Sequence, residues 1–335
     1  VLYKLFRPEM RQRVGKEAFK GPKPVRWKDW LLNLQGTKFT VGRIDASRNR
    51  IVWDIWKFYQ SKFVSALEDW KVGTAADLEH MRRMKDKRAE FDKESEADVL
   101  HYCYKECRFM AELARRLVEA HTAAGLKLKN FYGAGSSASA MLQKMGVQSK
   151  IMLPPLEMKE AVAAGFFGGR FENGVVGAVR GRVFSYDISS AYPYQLCFLP
   201  CLIHGTWELT KNRKDIDSAS AALVHYALSG TTKDMNRGWG PLPFRTSDGS
   251  ICFPYTSGGG WVWRDEYVQG ERLFPAVEFV EAWVYHTDCD CRPFADIPHY
   301  YRERCRIGKE GPGIVLKLGS NSCYGKLAQS VGRGP

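Results

Sequence analysis

Apolar residues recur at two periods along this chain, and the period predicts the elements. In HYCYKECRFMAELARRLVEAHTAAG (101–125), Phe109, Leu113 and Leu117 stand four apart, so they share one helix face, and Gly125 is the expected stop. IVWDIWKFYQSKFVSAL (51–67) reads as a strand running into an amphipathic helix, and WKDWLLNL, from Trp27, carries a helical rhythm. GVVGAVRGRVFSYDI (174–188) reads as a hairpin turning at Arg180-Gly181, its second strand ending in the carboxylate of Asp187. Residues 205–275 break into short strand-like pieces such as SICFPYTSGGGWVW. From Ile297 the order is a helix holding HYYRERCR, the turn GKEGPG and the helix IVLKLGSNSCYGKLAQ, an αα-hairpin.

Other stretches lack a clean period. Residues 1–30 are basic and polar, with prolines at 8, 22 and 24. The mixed-charge run HMRRMKDKRAEFDKESEAD (80–98) predicts a solvated helix face or a mobile insert. GAGSSASA (133–140) suits close backbone packing; it lacks the spacing of a phosphate loop. There is no internal repeat.

A length of 335 residues favours two or three domains, and 44% hydrophobic residues suffice for a sizeable core. No run of 18 apolar residues exists, so no membrane partner is expected, and VLYKLFRPEMRQR is not a signal peptide. The absence of an initiator Met raises the expectation of a fragment. The net charge of +13 fits a polyanionic partner, with solubility as the alternative reading. Nine scattered cysteines do not make a disulfide framework, so reduced thiols and an intracellular setting are expected.

Candidate chemistry lies in two places. If Gly313–Ala328 is helical, Lys317, Asn321 and Tyr324 fall on one face and offer a cation, an amide and an aromatic ring. Gly319, Ser320, Asn321 and Ser322 are poor helix formers, as expected where a ligand must come close. Asp296–Pro335 holds seven Lys/Arg against three Asp/Glu, which suits phosphates; an ordinary surface helix is the alternative. In YDISSAYP (186–193), Asp187 at a strand end before Pro193 could hold a divalent ion, or simply cap the next turn.

Together these stretches resemble signatures of the family B DNA polymerases. The pattern DxxSLYP is met by Asp187, Ser190, Ala191, Tyr192 and Pro193, with Ala for Leu; KxxxNSxYG is met by Lys317, Asn321, Ser322, Tyr324 and Gly325. FFGGRFE (166–172) resembles the YxGG element, with Phe166 for Tyr. The layout is most similar to the organellar and viral branch, which includes protein-primed enzymes. The resemblance implies that Asp187 binds both catalytic Mg²⁺ ions, helped by the Ile188 carbonyl, and that no organic cofactor is used. It implies that Ser190, Ala191 and Tyr192 place the nucleotide, Tyr192 excluding a ribose 2′-OH. Lys317 would grip the triphosphate, Asn321 and Tyr324 would line the base pair, and Phe166, Gly168, Gly169, Arg170, Ser322 and Gly325 would meet DNA. The implied partners are template-primer DNA, dNTPs and a terminal protein primer, and the implied reaction is a two-metal in-line displacement.

The implied fold is α/β (α+β) and multidomain. A partial RNase H-like 3′–5′ exonuclease domain would occupy 1–128, a connection 129–175, palm elements 176–295 and fingers 296–335. No DTD-like carboxylate motif follows Gly325, so the chain is expected to be a fragment, inactive alone. Tyr102 and Glu106 resemble a proofreading motif with Glu for Asp, and a surface helix is the equal alternative. His286, Cys289 and Cys291, with Cys305 as one candidate fourth ligand, could bind zinc, although a plain turn is favoured there. Two other readings stay open: a non-catalytic nucleic-acid-binding protein on the polymerase scaffold, and an unrelated basic enzyme.

Overall fold

The computed structural model describes residues 24–170, 175–229, 240, 242–253, 258–274, 276–308 and 311–327. Phe171 and Glu172 of the FFGGRFE element, Gly174 of the expected hairpin, the basic N-terminal stretch and the last eight residues lie outside them. The strands are β1 (Val25–Trp27), β2 (Trp30–Gln35), β3 (Lys38–Arg43), β4 (Arg50–Trp53), β5 (Thr206–Thr210), β6 (Ala221–Leu228), β7 (Phe244–Arg245), β8 (Ile251–Cys252), β9 (Gly258–Trp263) and β10 (Val277–His286). The α-helices are α1 (Trp56–Tyr59), α2 (Phe63–Asp69), α3 (Ala75–Asp86), α4 (Glu96–Ala123), α5 (Ala134–Lys144), α6 (Lys159–Ala164), α7 (Ala191–Leu196), α8 (Asp215–Ser218), α9 (Arg264–Leu273), α10 (Ile297–Ile307) and α11 (Gly313–Leu327). They form two compact units: one from the described residues up to Lys144 with Asp296–Lys326, the other from Met145–Ala295.

The first unit begins with an antiparallel meander, β1-β2-β3-β4. WKDWLLNL is therefore not a helix. Trp27 pairs with Trp30 across the two-residue loop Lys28-Asp29, and Lys28 adopts the left-handed conformation (φ 51°) that such a loop demands. A short apolar run fits both periods, and the turn decides between them. Leu32 and Phe39 form a small core with Val25, Trp27, Leu34 and Val41.

The 28-residue α4 carries the long buried stripe. Ser95 caps it by accepting from the Asp98 N–H (3.1 Å), and Tyr102, Phe109, Leu113, Leu117 and His121 point inward. It ends at Ala123, just before Gly125 at φ 69°, as its sequence predicts. The mixed-charge run is helical. Within α3, Met81 and Met84 are buried while Arg82 reaches Glu68, and Lys87 meets Glu94 at 2.6 Å beyond it.

The small residues of α5 serve close packing. On α11 a Cβ added at Gly319 would lie 2.8 Å from Met141 Cε and 3.1 Å from Ser137 Cβ. Val315, Leu316, Gly319 and Cys323 form the buried side of α11, and burial pushes the Cys323 thiol up to about 12. Beside them the buried His121 bonds through Nδ1 to the Leu117 carbonyl and through Nε2 to Ser137 Oγ, both at 2.8 Å.

Burial lowers the His121 pKa, only partly opposed by the Leu117 carbonyl. The unfolded chain therefore takes up this proton first. The contribution is intact above about pH 6.5 and is lost as pH falls from there toward the folded value, by up to ~1.4 kcal/mol per unit. Thermal melts between about pH 7 and 5 are expected to show this acid-side loss, and His121→Gln should flatten it; parallel profiles would refute the assignment.

The second unit is built on a four-stranded antiparallel sheet of order β5-β10-β6-β9. Its central strand β6 is buried on both faces. Ala222, Val224, Tyr226 and Leu228 join Val262, Val284 and the Tyr267 ring from α9. Leu223 points to the other face, with Met158, Ala161 of α6 and the rings of Trp207, Trp261 and Trp283. Helix α9 was not foreseen in the strand-like run. Its first turn is tied by Glu266, whose carboxylate accepts from the Trp263 N–H at 3.3 Å.

Candidate functional site

The Asp187 segment differs from its sequence reading. From 175 to 188 no β-ladder forms, although the chain bends at Gly181 (φ 110°) near the foreseen turn. A two-stranded hairpin is marginal by itself, and Val183, Phe184, Tyr186 and Ile188 find no apolar face among the described residues: Tyr186 is 90% exposed. Asp187 thus lies on an exposed segment without regular structure and not at a strand end.

The turn that follows is well formed. Ser190 sits in the left-handed region (φ 55°, ψ 39°), a cost of about 1–2 kcal/mol for a side chain with Cβ. It turns the chain from the Asp187 segment into α7, and its carbonyl accepts the Tyr194 N–H at 2.9 Å. Pro193 does not break regular structure. It falls in the first turn of α7, where a missing N–H breaks no bond. Ala191 opens this helix, and the ring of Tyr192 is half-exposed.

The FFGGR element meets this helix. A Cβ on Gly169 would come within 2.8 Å of the Tyr192 hydroxyl, so bare backbone lies against the phenol, while Gly168 faces open space. The flanks are pinned from the β7–β8 hairpin. The Phe166 carbonyl accepts from Arg245 at 2.8 Å, and the Arg245 guanidinium lies 5.3 Å from the Phe167 ring centre. Arg170 lies 3.9 Å over the Phe253 ring and donates to the Gly240 carbonyl at 3.1 Å. No sequence signal marks Arg245 and Phe253, which lie within the strand-like run of 205–275.

In the first unit, α11 has the two-sided character its sequence implied. Lys317, Asn321 and Gly325 stand exposed at i, i+4 and i+8, Ser322 and Tyr324 are half-buried beside them, and Gly325 has open space around it. Ser320 returns its hydroxyl to the Leu316 carbonyl at 2.8 Å. The run of poor helix formers therefore has two causes: Gly319 packs, and the opposite face is open.

Tyr102 and Glu106 also come together, around a cation. Arg88 donates to the Tyr102 hydroxyl at 2.8 Å and pairs with Glu106, and the Tyr102 hydroxyl donates to Glu106 at 3.2 Å. Tyr102 is buried, so the surface-helix alternative fails for it; burial raises its phenol pKa, as does Glu106. Among the described residues, the one cluster of three or more potential metal ligands lies at neither of these carboxylates: it is Cys201, His204, Cys289 and Cys291.

The fold is that of solved structures of phi29 DNA polymerase. Superposition gives a TM-score of 0.56 at 15% identity with its orthorhombic crystal form, covering 89% of this chain and 51% of that one. The complex with primer-template DNA gives 0.52 at 14% identity over 90% and 51%, and the ternary complex with incoming nucleotides 0.51 at 14% over 90% and 52%. The chain spans about half the length of these polymerases. No curated protein sequence matches it. The family profile described as DNA polymerase type B, organellar and viral, matches residues 75–333, a span that holds all three signature stretches. The chain belongs to the organellar and viral type B DNA polymerases.

Proposed function

We propose that this chain carries the nucleotide- and primer-terminus-binding part of a template-directed DNA polymerase. Support comes from the family match across both signatures, and above all from α11, whose packed side is closed by Gly319 and whose open side presents Lys317, Asn321 and Gly325. In this reading the Lys317 ammonium neutralises the triphosphate of a dNTP, and Asn321 and Tyr324 flank the nascent base pair. Tyr192 supports the sugar, backed by Gly169. The open backbone at Gly168 and Gly325 lets nucleic acid approach. The reaction is displacement at the α-phosphorus: the primer 3′-oxygen forms the new bond as the bond to pyrophosphate breaks.

Magnesium fits this site only in part. The exposed Asp187 carboxylate and the adjoining Ile188 carbonyl, with triphosphate oxygens, make a hard-oxygen set for one ion. No group of three or more protein ligands forms around Asp187 among the described residues, so the pair of ions implied by the family does not fit them alone.

Fluorescence anisotropy with a labelled primer–template tests the reading. Binding is expected to weaken steeply with salt and to tighten when the dNTP complementary to the template is added. Equal affinity with and without that dNTP, at every salt concentration, would leave a nucleic-acid-binding protein and sink the polymerase reading. Primer extension by the chain alone is expected to be absent, because no group of three or more potential metal ligands gathers at Asp187 among the described residues; robust synthesis with magnesium would overturn that point.

A further inference from the structure

Two turns at one end of the second sheet bring four soft ligands together. Cys201 and His204 lie just before β5, and Cys289 and Cys291 lie just after β10. Because β10 runs antiparallel to β5 with His286 opposite Thr206, the segment entering one strand and the segment leaving the other emerge side by side. One ligand atom from each of the four residues lies within 4.8 Å of all the others. His204 Nδ1 is 3.4 Å from Cys201 Sγ and 3.4 Å from Cys289 Sγ. Zinc arms of about 2.3 Å to sulfur and about 2.0 Å to nitrogen set tetrahedron edges of about 3.5–3.8 Å, so two edges are near that length and the rest close by shifts of about 1 Å or less.

The turns are shaped for thiolates. The His204 N–H donates to Cys201 Sγ and the Cys291 N–H to Cys289 Sγ, each at 3.4 Å. Thr287 ties the turns to each other: its hydroxyl donates to the His204 carbonyl at 2.9 Å and accepts the Cys289 N–H at 3.2 Å. Gly205 is required between them, since a Cβ there would sit 2.3 Å from the His286 carbonyl oxygen and 2.6 Å from the Tyr285 hydroxyl.

A separate observation points to a charged occupant. The Tyr285 hydroxyl is fully buried and has no hydrogen-bond partner among the described residues. The bare backbone of Gly205, between the two turns, lies against this hydroxyl. A buried O–H without an acceptor is costly, and a thiolate held as such by a cation would supply one. All four positions are protein ligands, three sulfurs and one imidazole nitrogen, so the set is closed and soft, the pattern of a structural zinc and not of a catalytic one.

We propose that Cys201, His204, Cys289 and Cys291 form a structural zinc site that staples the segment leaving α7 to the end of the β5–β10 ladder. Arg292, next after Cys291, already reaches the Leu199 carbonyl at 3.2 Å across the same gap. The staple fixes the C-terminal side of the helix that carries Tyr192. This ligand set replaces the one foreseen from HTDCDC: His286 lies within β10 opposite Thr206, and Cys305 lies on α10. The site stands without the polymerase reading, which bears only on what the staple serves.

Elemental analysis of the full chain, purified under reducing conditions without chelator, is expected to give one zinc per chain. Cobalt in its place should show the visible absorption of a tetrahedral thiolate site. Chelation should lower the melting temperature and expose the 199–205 segment to protease. Cys201→Ser/Cys289→Ser and His204→Ala should lose the metal, whereas His204→Cys and the control Cys103→Ser/Cys107→Ser should keep it. If the variants do not fold, the cobalt titration of the unaltered chain decides. Absence of zinc together with absence of the cobalt spectrum, retention of metal by the double variant, or a disulfide among these cysteines in reducing buffer would each overturn the site. None of these readouts uses polymerase activity, so this proposal and the functional one fail independently.

Discussion

Gly319→Leu is expected to destabilise the first unit and to weaken nucleotide binding with it, while Gly319→Ala leaves stability nearly unchanged. The first added carbon meets Met141 Cε at 2.8 Å and Ser137 Cβ at 3.1 Å. For alanine, the terminal methyl of a flexible methionine has to move by roughly half an ångström or more, and its sulfur and the Ser137 Cβ give by a few tenths. Replacing a helix-interior glycine offsets that by about 1 kcal/mol. Leucine adds three more carbons at a place where Met141 is buried and cannot swing to solvent. Overpacking of this kind costs typically 1–3 kcal/mol. Each kcal/mol moves the melting temperature of a unit this size by about 2–4 °C. Differential scanning calorimetry of the three proteins would decide, and a Leu variant that melts with the parent would mean that α11 does not pack on α5 through Gly319.

That glycine shows how far the sequence can be read. A helix with Gly319, Ser320, Asn321 and Ser322 in succession raises the expectation of a ligand, and its spacing places Lys317 and Asn321 on one face, where the structure has them exposed. What spacing could not show was the other side of the same helix. The small residues at 133–140 and Gly319 lie far apart in the chain, and only their packing explains both. The stripe of Phe109, Leu113 and Leu117 was legible because a long helix repeats its period several times. WKDWLLNL was not, because eight residues satisfy both periods and the choice rests on the left-handed Lys28.

The second unit was the harder part for a similar reason. Its site is assembled from loops. Gly169 and Tyr192 meet, and Arg245 and Phe253 steady the glycine element, at separations that no local pattern encodes. The Asp187 stretch has the composition of a strand, but a strand also needs a partner. Its exposed Val183, Phe184 and Tyr186 show that alternation states a preference for pairing and not the pairing itself. The metal-ligand set makes the same point. C-x-C was visible at 289–291, and the C-x₂-H at 201–204 that completes it was hidden by its distance along the chain; the antiparallel register of β5 and β10 removes that distance.

Lys317→Ala is expected to leave stability unchanged and to cost roughly 10- to 150-fold in dNTP affinity on primer–template. The lysine is exposed and forms no ion pair with a described residue, so its removal opens no cavity and strands no buried charge; such surface changes stay within about ±0.5 kcal/mol. Its value appears only when a triphosphate arrives. A hydrogen bond to a charged group contributes about 1.5–3 kcal/mol, which sets the range given. Lys317→Arg keeps the charge but replaces a compact ammonium with a wide planar fork, so partial rescue is expected. Titration of the correct dNTP into the chain–primer–template complex, at fixed salt, reads the effect directly. DNA affinity without dNTP should move much less than the nucleotide term. Were both to fall together, Lys317 would be one more cation for the DNA backbone, and α11 would lose its role as the nucleotide-facing helix.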